Sequence, residues 1–132
     1  MSTEYHNCFV CGKENPIGLK IDFSYDEAGS AFAKLSLPAL FEGYPGMIHG
    51  GILSTLLDEA MGKAVIHSGK TAYTAQLTVN YRKALSPENQ VSVKAWILHS
   101  KSRTIQTAAQ IYDAKTIYAD AEAVFVVPRK AP

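Results

Sequence analysis

The sequence has little of what marks several common protein classes. Only two of its 132 residues are cysteines, so it cannot form the disulfide framework of a small secreted domain. No run approaches the roughly 18 apolar residues of a membrane-spanning helix, and the polar stretch 1–14 lacks the apolar core of a signal peptide. A net charge of +1 without a basic stripe argues against a nucleic-acid-binding surface. These absences predict a cytoplasmic protein that binds neither membranes nor nucleic acids.

What the sequence does contain is enough apolar material for a core. Hydrophobic residues make up 47% of a chain of single-domain length, so we predict one domain over 1–132 with an irregular segment at 1–18. Alternating apolar residues predict a β-hairpin from strands at 19–25 and 30–37. Apolar residues at three- and four-residue spacing then predict a helix at 51–67. Glu59 and Lys63 would form an exposed ion pair on its polar side.

The second half of the chain reads as strands. Residues 71–84, 90–100, 104–113 and 117–127 are rich in β-branched and aromatic residues, and the short connections between them predict an antiparallel meander. The predicted class is α+β, with one long helix and about six antiparallel strands. One helix cannot cover both faces of so long a sheet, so the second face is either solvated or covered by another subunit. We expect a homodimer or a dimer of dimers.

The most informative segment runs from 41 to 62, where His49 precedes Gly50 and Gly51 at the predicted helix start. The first amides of a helix lack intrahelical acceptors and lie at the positive end of its dipole. An oxyanion beside Gly50 or Gly51 would find preorganised donors, each worth about 3–4 kcal/mol of a reaction barrier. The residues alone favour a simpler interpretation, in which the glycines permit a sharp turn and His49 has a structural role rather than transferring protons.

Asp58 lies nine residues after His49 and borders the apolar stripe of the predicted helix. A carboxylate there loses hydration, which suits it to act as a general base or nucleophile; the alternative is an ordinary surface carboxylate. In the next strand, alternation places Thr74 on one face with Thr78 and two other polar residues. Such a row is usually solvated or lies in an interface, but Thr74 at the strand start is well placed to hold a water.

Two further groups of residues have less specific patterns. Cys8 and Cys11 form half of a zinc-binding motif, and His6 is an available third ligand. Because no second pair follows, we expect small buried residues in a tight turn rather than a metal site or a redox pair. Four cations stand at predicted strand ends and are candidates for binding a nucleotide phosphate, although most such residues are merely solvated: Arg82, Lys83, Lys101 and Arg103.

Taken together, these motifs resemble the hotdog-fold thioesterases of the PaaI/THEM4-like group. The resemblance rests on the turn 48–51 (Ile-His-Gly-Gly), the acidic stretch 57–60 (Leu-Asp-Glu-Ala) and the strand 74–81. The opening residues 8–19 are also similar to those of bacterial members. The resemblance extends over nearly the whole chain, and it implies a long helix wrapped by an antiparallel sheet in a dimer with two active sites at its interface.

The resemblance also implies an activity, the hydrolysis of an acyl-CoA thioester. Carried over by position, Asp58 is the general base or nucleophile, Thr74 binds the attacking water or the carboxylate, and the Gly50 amide polarises the carbonyl while His49 shapes the turn. Gly51 joins the substrate-binding set, which we extend to Thr78 and the cations at 82, 83 and 103. No metal or bound cofactor is implied, because CoA is part of the substrate.

One position departs from the family pattern. Some relatives carry an asparagine shortly before the histidine, whereas here the loop 42–45 reads Glu-Gly-Tyr-Pro, which leaves the second polarising group unassigned. Two other functions stay open at this point: a hotdog hydratase or dehydratase acting on acyl-thioesters, and a non-catalytic acyl-CoA-binding module. The latter would keep the glycine turn but would not need Asp58.

Overall fold

A computed structural model of the protein describes residues 5–129, which contain one long helix and six strands. The long helix begins one residue earlier than predicted and ends at the predicted residue. In chain order the elements are β1 (Ser24–Tyr25), β2 (Ala31–Leu35), a short 3-10 helix (Ala39–Phe41), α1 (Gly50–His67), β3 (Tyr73–Tyr81), β4 (Val91–Lys101), β5 (Thr104–Tyr112) and β6 (Ile117–Val126).

The six strands form a single antiparallel sheet in the order β1-β2-β4-β5-β6-β3. Helix α1 packs against the inner face of this sheet and contacts strands β2 to β6. This architecture confirms the predicted α+β class, with one long helix and six antiparallel strands.

The predicted four-strand meander is wrong in its first step. Strand β3 pairs with β6 at the sheet edge, and β4 pairs with β2, so only β4, β5 and β6 form a meander. The connection from β3 to β4 passes below the start of α1, where the Leu85 carbonyl accepts from the Ile48 amide at 2.8 Å. Leu85 is buried in the core (1% exposed). Because Leu85 is anchored in this way, the connection leads from β3 across the end of the sheet to β4 and does not form a hairpin.

The first predicted strand is reduced from 19–25 to the two residues of β1. The amides of Leu19 and Ile21 donate to carbonyls of the N-terminal segment, at 2.8 and 2.9 Å, so this stretch pairs with residues that precede it. Lys20 between them has a φ of 57°, which interrupts an extended strand. The hairpin of β1 with β2 is confirmed, although it comprises only two residue pairs.

Packing holds α1 in place. Burial of one leucine side chain stabilises a fold by about 1.5–3 kcal/mol. Packing of the apolar side therefore contributes more to the stability of this helix than its intrinsic helix propensity does. None of the described helices is long and apolar enough to cross a membrane. The buried residues of α1 are Leu53, Leu56, Leu57, Ala60, Met61, Ala64 and Val65.

Glu59 and Lys63 are paired as predicted but are not exposed. Their charged atoms lie 3.7 Å apart, and their side chains are only 19% and 15% exposed. The N-terminal segment covers this side of α1, with Cys8 Sγ 3.7 Å from Glu59 Oε2 and Cys11 Sγ 3.2 Å from Lys63 Nζ. An irregular segment has no periodicity from which this cover could be predicted.

Candidate active site

The N-terminus of α1 presents one free amide. His49 is the N-cap, and its Nδ1 accepts a hydrogen bond from the Gly51 amide at 2.8 Å. Among the described residues, nothing accepts from the Gly50 amide. Of the two glycine amides predicted to bind an oxyanion, only that of Gly50 is therefore available. His49 has the capping role that the residues alone favoured.

Tyr81, at the end of β3, supports this turn and was not among the predicted site residues. Its hydroxyl donates to the Gly50 carbonyl at 3.2 Å and forms a second, short hydrogen bond with Ser54 Oγ. A Cβ added at Gly50 would lie 3.3 Å from the Tyr81 ring, so the ring packs directly on the glycine. The sequence signal was weak, since it consists only of an aromatic residue at the end of the strand after the helix.

A cleft of about 810 Å³ opens beside this turn and is lined by His49, Gly50, Tyr81, Arg82 and Lys83. Such a volume suits a small-molecule ligand. Two of the predicted cations thus reach the same cleft as the free amide.

Only one of the two cations has its charge compensated by a neighbouring acid. The Arg82 guanidinium binds the Asp120 carboxylate through two hydrogen bonds, of 2.7 and 3.2 Å. These bonds hold the pKa of Asp120 below its ordinary value. Lys83 has no acidic partner among the described side chains. It is therefore the cation in the cleft that is free to meet an anion.

Asp58 lies in the middle of α1 and is half-buried. Thr74 Oγ1 donates to its Oδ1 at 2.6 Å, so the structure brings together the predicted carboxylate and the predicted threonine. A carboxylate held by one hydroxyl keeps its second oxygen free to accept from a water molecule.

The prediction that Thr74 shares a face with Thr78 is wrong. A bulge between Thr74 and Gln76 shifts the register of β3, and Thr74 pairs with Phe125, which is buried (3% exposed) on the helix side. Bulges occur next to active sites because they re-aim a side chain. Here the bulge turns the threonine toward Asp58.

The structure does not bring Thr78 and Arg103 to this pair or to the cleft. Thr78 pairs with the exposed Glu122 on the outer face of the sheet. Arg103 follows the tight turn between β4 and β5, and its Nε donates to the Val127 carbonyl at 2.9 Å. That turn lies at the end of the sheet opposite the cleft.

The two halves of the predicted site lie about two helical turns apart on α1. Eight residues of α1 separate Gly50 from Asp58, which corresponds to a rise of about 12 Å. Among the described residues, the one cluster that could hold a metal consists of Cys8, Cys11 and Glu59, outside this cleft.

The family model of the thioesterase superfamily matches residues 45–119, a range that contains the helix turn, Asp58 and Thr74. The chain belongs to the thioesterase superfamily.

Individual members of the superfamily align with most of the chain. The acyl-coenzyme A thioesterase THEM4 of Mus musculus is 28% identical over 121 residues, which are 89% of this chain and 52% of that protein. The protein of the same name from Xenopus laevis is 26% identical over 116 residues, with 86% and 52% covered. This thioesterase-superfamily chain thus spans about half the length of the curated relatives it matches.

Solved structures share the fold. A crystal structure of a thioesterase superfamily protein has a TM-score of 0.85 and 29% identity, and the match covers 89% of this chain and 61% of that one. A protein from Streptococcus mutans UA159, solved with bound acetyl CoA, has a TM-score of 0.77 and 24% identity, with 85% and 91% covered. These similarities confirm the predicted hotdog fold and the predicted family.

Proposed function

We propose that this protein hydrolyses the thioester of an acyl-CoA to a free acid and CoA. The observation that carries the proposal is the 2.6 Å hydrogen bond between Thr74 and Asp58, which holds a half-buried carboxylate in one orientation. Several relatives are named acyl-coenzyme A thioesterases, and one structural neighbour was solved with acetyl CoA.

A spacing in another neighbour supports the choice of these two residues. Mutant structures of a hypothetical thioesterase from Streptococcus pneumoniae replace an aspartate and a threonine by alanine. The two mutated positions are 16 residues apart, the same separation as between Asp58 and Thr74.

In the proposed reaction Asp58 acts as the general base. It takes a proton from a water that Thr74 helps to position, and the resulting hydroxide attacks the thioester carbon. Negative charge develops on the carbonyl oxygen, where the Gly50 amide donates to it. The intermediate then expels the CoA thiolate, which recovers the proton from Asp58. If Asp58 instead attacks directly, an anhydride forms first and water hydrolyses it.

The active unit in this proposal is a homodimer, or a dimer of dimers, in which Asp58 of one subunit serves Gly50 of the partner subunit. The family resemblance implies such a shared site, and the separation of about 12 Å along one helix supports it. Strand β3 is a candidate for the contact between the two subunits. It pairs with a strand on one edge only, and seven of its nine residues are exposed. Edge strands with unpaired backbone groups readily pair with another copy.

Lys83 is proposed to meet a phosphate of CoA, with Arg82 adding positive potential beside it. The cleft places both residues next to the Gly50 turn, where the thioester would lie. The hydrolysis needs no metal or bound cofactor, since a carboxylate, a water and an amide provide the required groups. A reducing cytoplasm suits the two free thiols of the chain.

The test is a hydrolysis screen over short, medium, long and aryl acyl-CoAs, in which released CoA is measured with a thiol reagent. Asp58→Ala and Asp58→Asn are expected to lose at least about 100-fold in kcat, the lower range for a general base. Asp22→Asn is the matched control, because this exposed carboxylate pairs with Lys13 at the surface, away from the cleft. It should hydrolyse like the wild type.

Other outcomes would point to the alternatives. Binding of acyl-CoA with no hydrolysis by the wild type would favour a non-catalytic binding module. Hydration of an enoyl-CoA without hydrolysis would favour a hydratase. Unchanged turnover in both Asp58 variants would remove Asp58 from the mechanism.

A further inference from the structure

We propose that Cys8, Cys11 and Glu59 form a binding site for a thiophilic divalent metal, with zinc as the expected ion. One sulfur of each cysteine and one carboxylate oxygen of Glu59 all lie within 4.8 Å of one another. Two thiolates and a carboxylate are ligands that zinc takes in tetrahedral sites. The site lies on the side of α1 away from the Gly50 cleft and does not rest on the proposed hydrolysis.

The backbone around the two cysteines is shaped for a close pair of sulfurs. The Cys11 amide donates to Cys8 Sγ at 3.4 Å, and the Gly12 amide donates to the Cys8 carbonyl at 2.8 Å. Gly12 is required in this turn, since an added Cβ would lie 2.3 Å from the Cys8 nitrogen and 2.4 Å from the His6 carbonyl oxygen. The turn therefore holds both sulfurs on the side that faces α1.

The third donor is Glu59 on the helix and not His6, which the sequence suggested as the third ligand. Cys8 Sγ lies 3.7 Å from Glu59 Oε2. A sulfur about 2.3 Å and a carboxylate oxygen about 2.0–2.2 Å from one zinc ion, at a tetrahedral angle, are separated by about 3.5–3.7 Å. The imidazole of His6 instead lies 3.2 Å from Glu14, in an exposed pair outside the cluster. A fourth position is left for water.

Lys63 now supplies the positive charge among these donors. Its Nζ donates to Cys11 Sγ at 3.2 Å and lies 3.7 Å from Glu59 Oε2. The same ammonium already lies 4.9 Å from the centroid of the Tyr5 ring, which attracts it away from the two donors. A divalent ion takes the place of the ammonium, and Lys63 turns toward that ring and solvent.

The metal would connect two parts of the chain that share few other polar contacts. Cys8 and Cys11 belong to the irregular N-terminal segment, whereas Glu59 is the residue next to Asp58 on α1. Binding should therefore stabilise the fold by fastening this segment to the helix.

The test uses the full chain, purified without chelator and kept reduced with a phosphine. We expect about one zinc per chain by elemental analysis after zinc is supplied and excess is removed. Cobalt in its place should give a sulfur-to-metal charge-transfer absorption, which falls by about half in Cys8→Ser because one of two thiolates is lost. Thermal unfolding should shift to higher temperature on addition of zinc.

Two variants distinguish this site from adventitious binding. Glu59→Gln keeps the shape of the side chain and both thiols, and it is expected to weaken zinc binding at least about 100-fold, since even second-shell partners are worth about 10- to 100-fold. His6→Ala is the matched control and should bind like the wild type. Circular dichroism checks that each variant is folded.

Three results would overturn the proposal. The first is a reduced wild-type chain that binds no stoichiometric zinc and shows no cobalt charge-transfer band. The second is equal affinity of the wild type and Glu59→Gln. The third is a loss in His6→Ala as large as that in Glu59→Gln, which would give the third position to the histidine.

Discussion

Replacing Gly50 by proline removes the one donor on which the proposed polarisation of the thioester depends. Proline has no amide hydrogen, and it is favoured at the first position of a helix. The preceding residue must be extended, and His49 already is, with φ −59° and ψ 133°. The helix should therefore form normally in Gly50→Pro while the oxyanion loses its donor.

The expected magnitude follows from the value of one such donor. Loss of a single oxyanion-hole hydrogen bond costs about 100- to 1,000-fold in kcat, and we expect Gly50→Pro to fall in this range. Gly50→Ala is the matched control, because its Cβ has the same 3.3 Å contact with Tyr81 but the amide is kept. The alanine variant should retain most of its activity, so the difference between the two variants measures the amide.

The same variant tests whether the site is shared between subunits. A heterodimer of an Asp58→Ala chain and a Gly50→Pro chain, co-expressed with two different tags and purified through both, would contain one site with both defects. Its other site would combine an intact Asp58 with an intact Gly50. We expect about half the wild-type activity per dimer.

A site contained within one chain predicts a different result. Each subunit of the heterodimer would then carry one defect, and activity would stay as low as in the two parental homodimers. That result would refute the shared site. Equal activity of Gly50→Pro and Gly50→Ala would refute the role of the amide.

Three further predictions concern single side chains. Thr74→Val is expected to lower kcat about tenfold or more by releasing Asp58, whereas Thr74→Ser should restore most of it, as measured by steady-state hydrolysis. The Tyr118 hydroxyl donates a hydrogen bond to Asp113 and lowers the pKa of that carboxyl. The ionised carboxylate therefore stabilises the fold above about pH 4, and this stabilisation is lost as the pH falls through the lowered pKa. Asp113→Asn should flatten that part of the curve of unfolding free energy against pH. Leu56→Ala, at a fully buried position, should cost about 2–5 kcal/mol in denaturant unfolding.

Much of the site could be predicted because its sequence signals are local. The apolar spacing of 51–67 defines the helix, and glycines at its start mark an exposed turn whichever elements surround it. The position of Asp58 beside the apolar stripe follows from helical geometry alone. Its assignment as the catalytic carboxylate came from the resemblance to a family, because an aspartate in that position is equally consistent with a surface residue.

From the sequence we could predict the order of the elements, the long helix and the residues at its N-terminus, since each of these depends on neighbours a few positions away. Which strands are adjacent could be seen only in the folded chain, where β3 lies beside β6. The folded chain also shows that a bulge turns Thr74 toward Asp58 and that the N-terminal segment covers Glu59. The physical reason is that these features depend on hydrogen bonds and packing between residues distant in the chain, and the spacing of residues within one segment does not encode them.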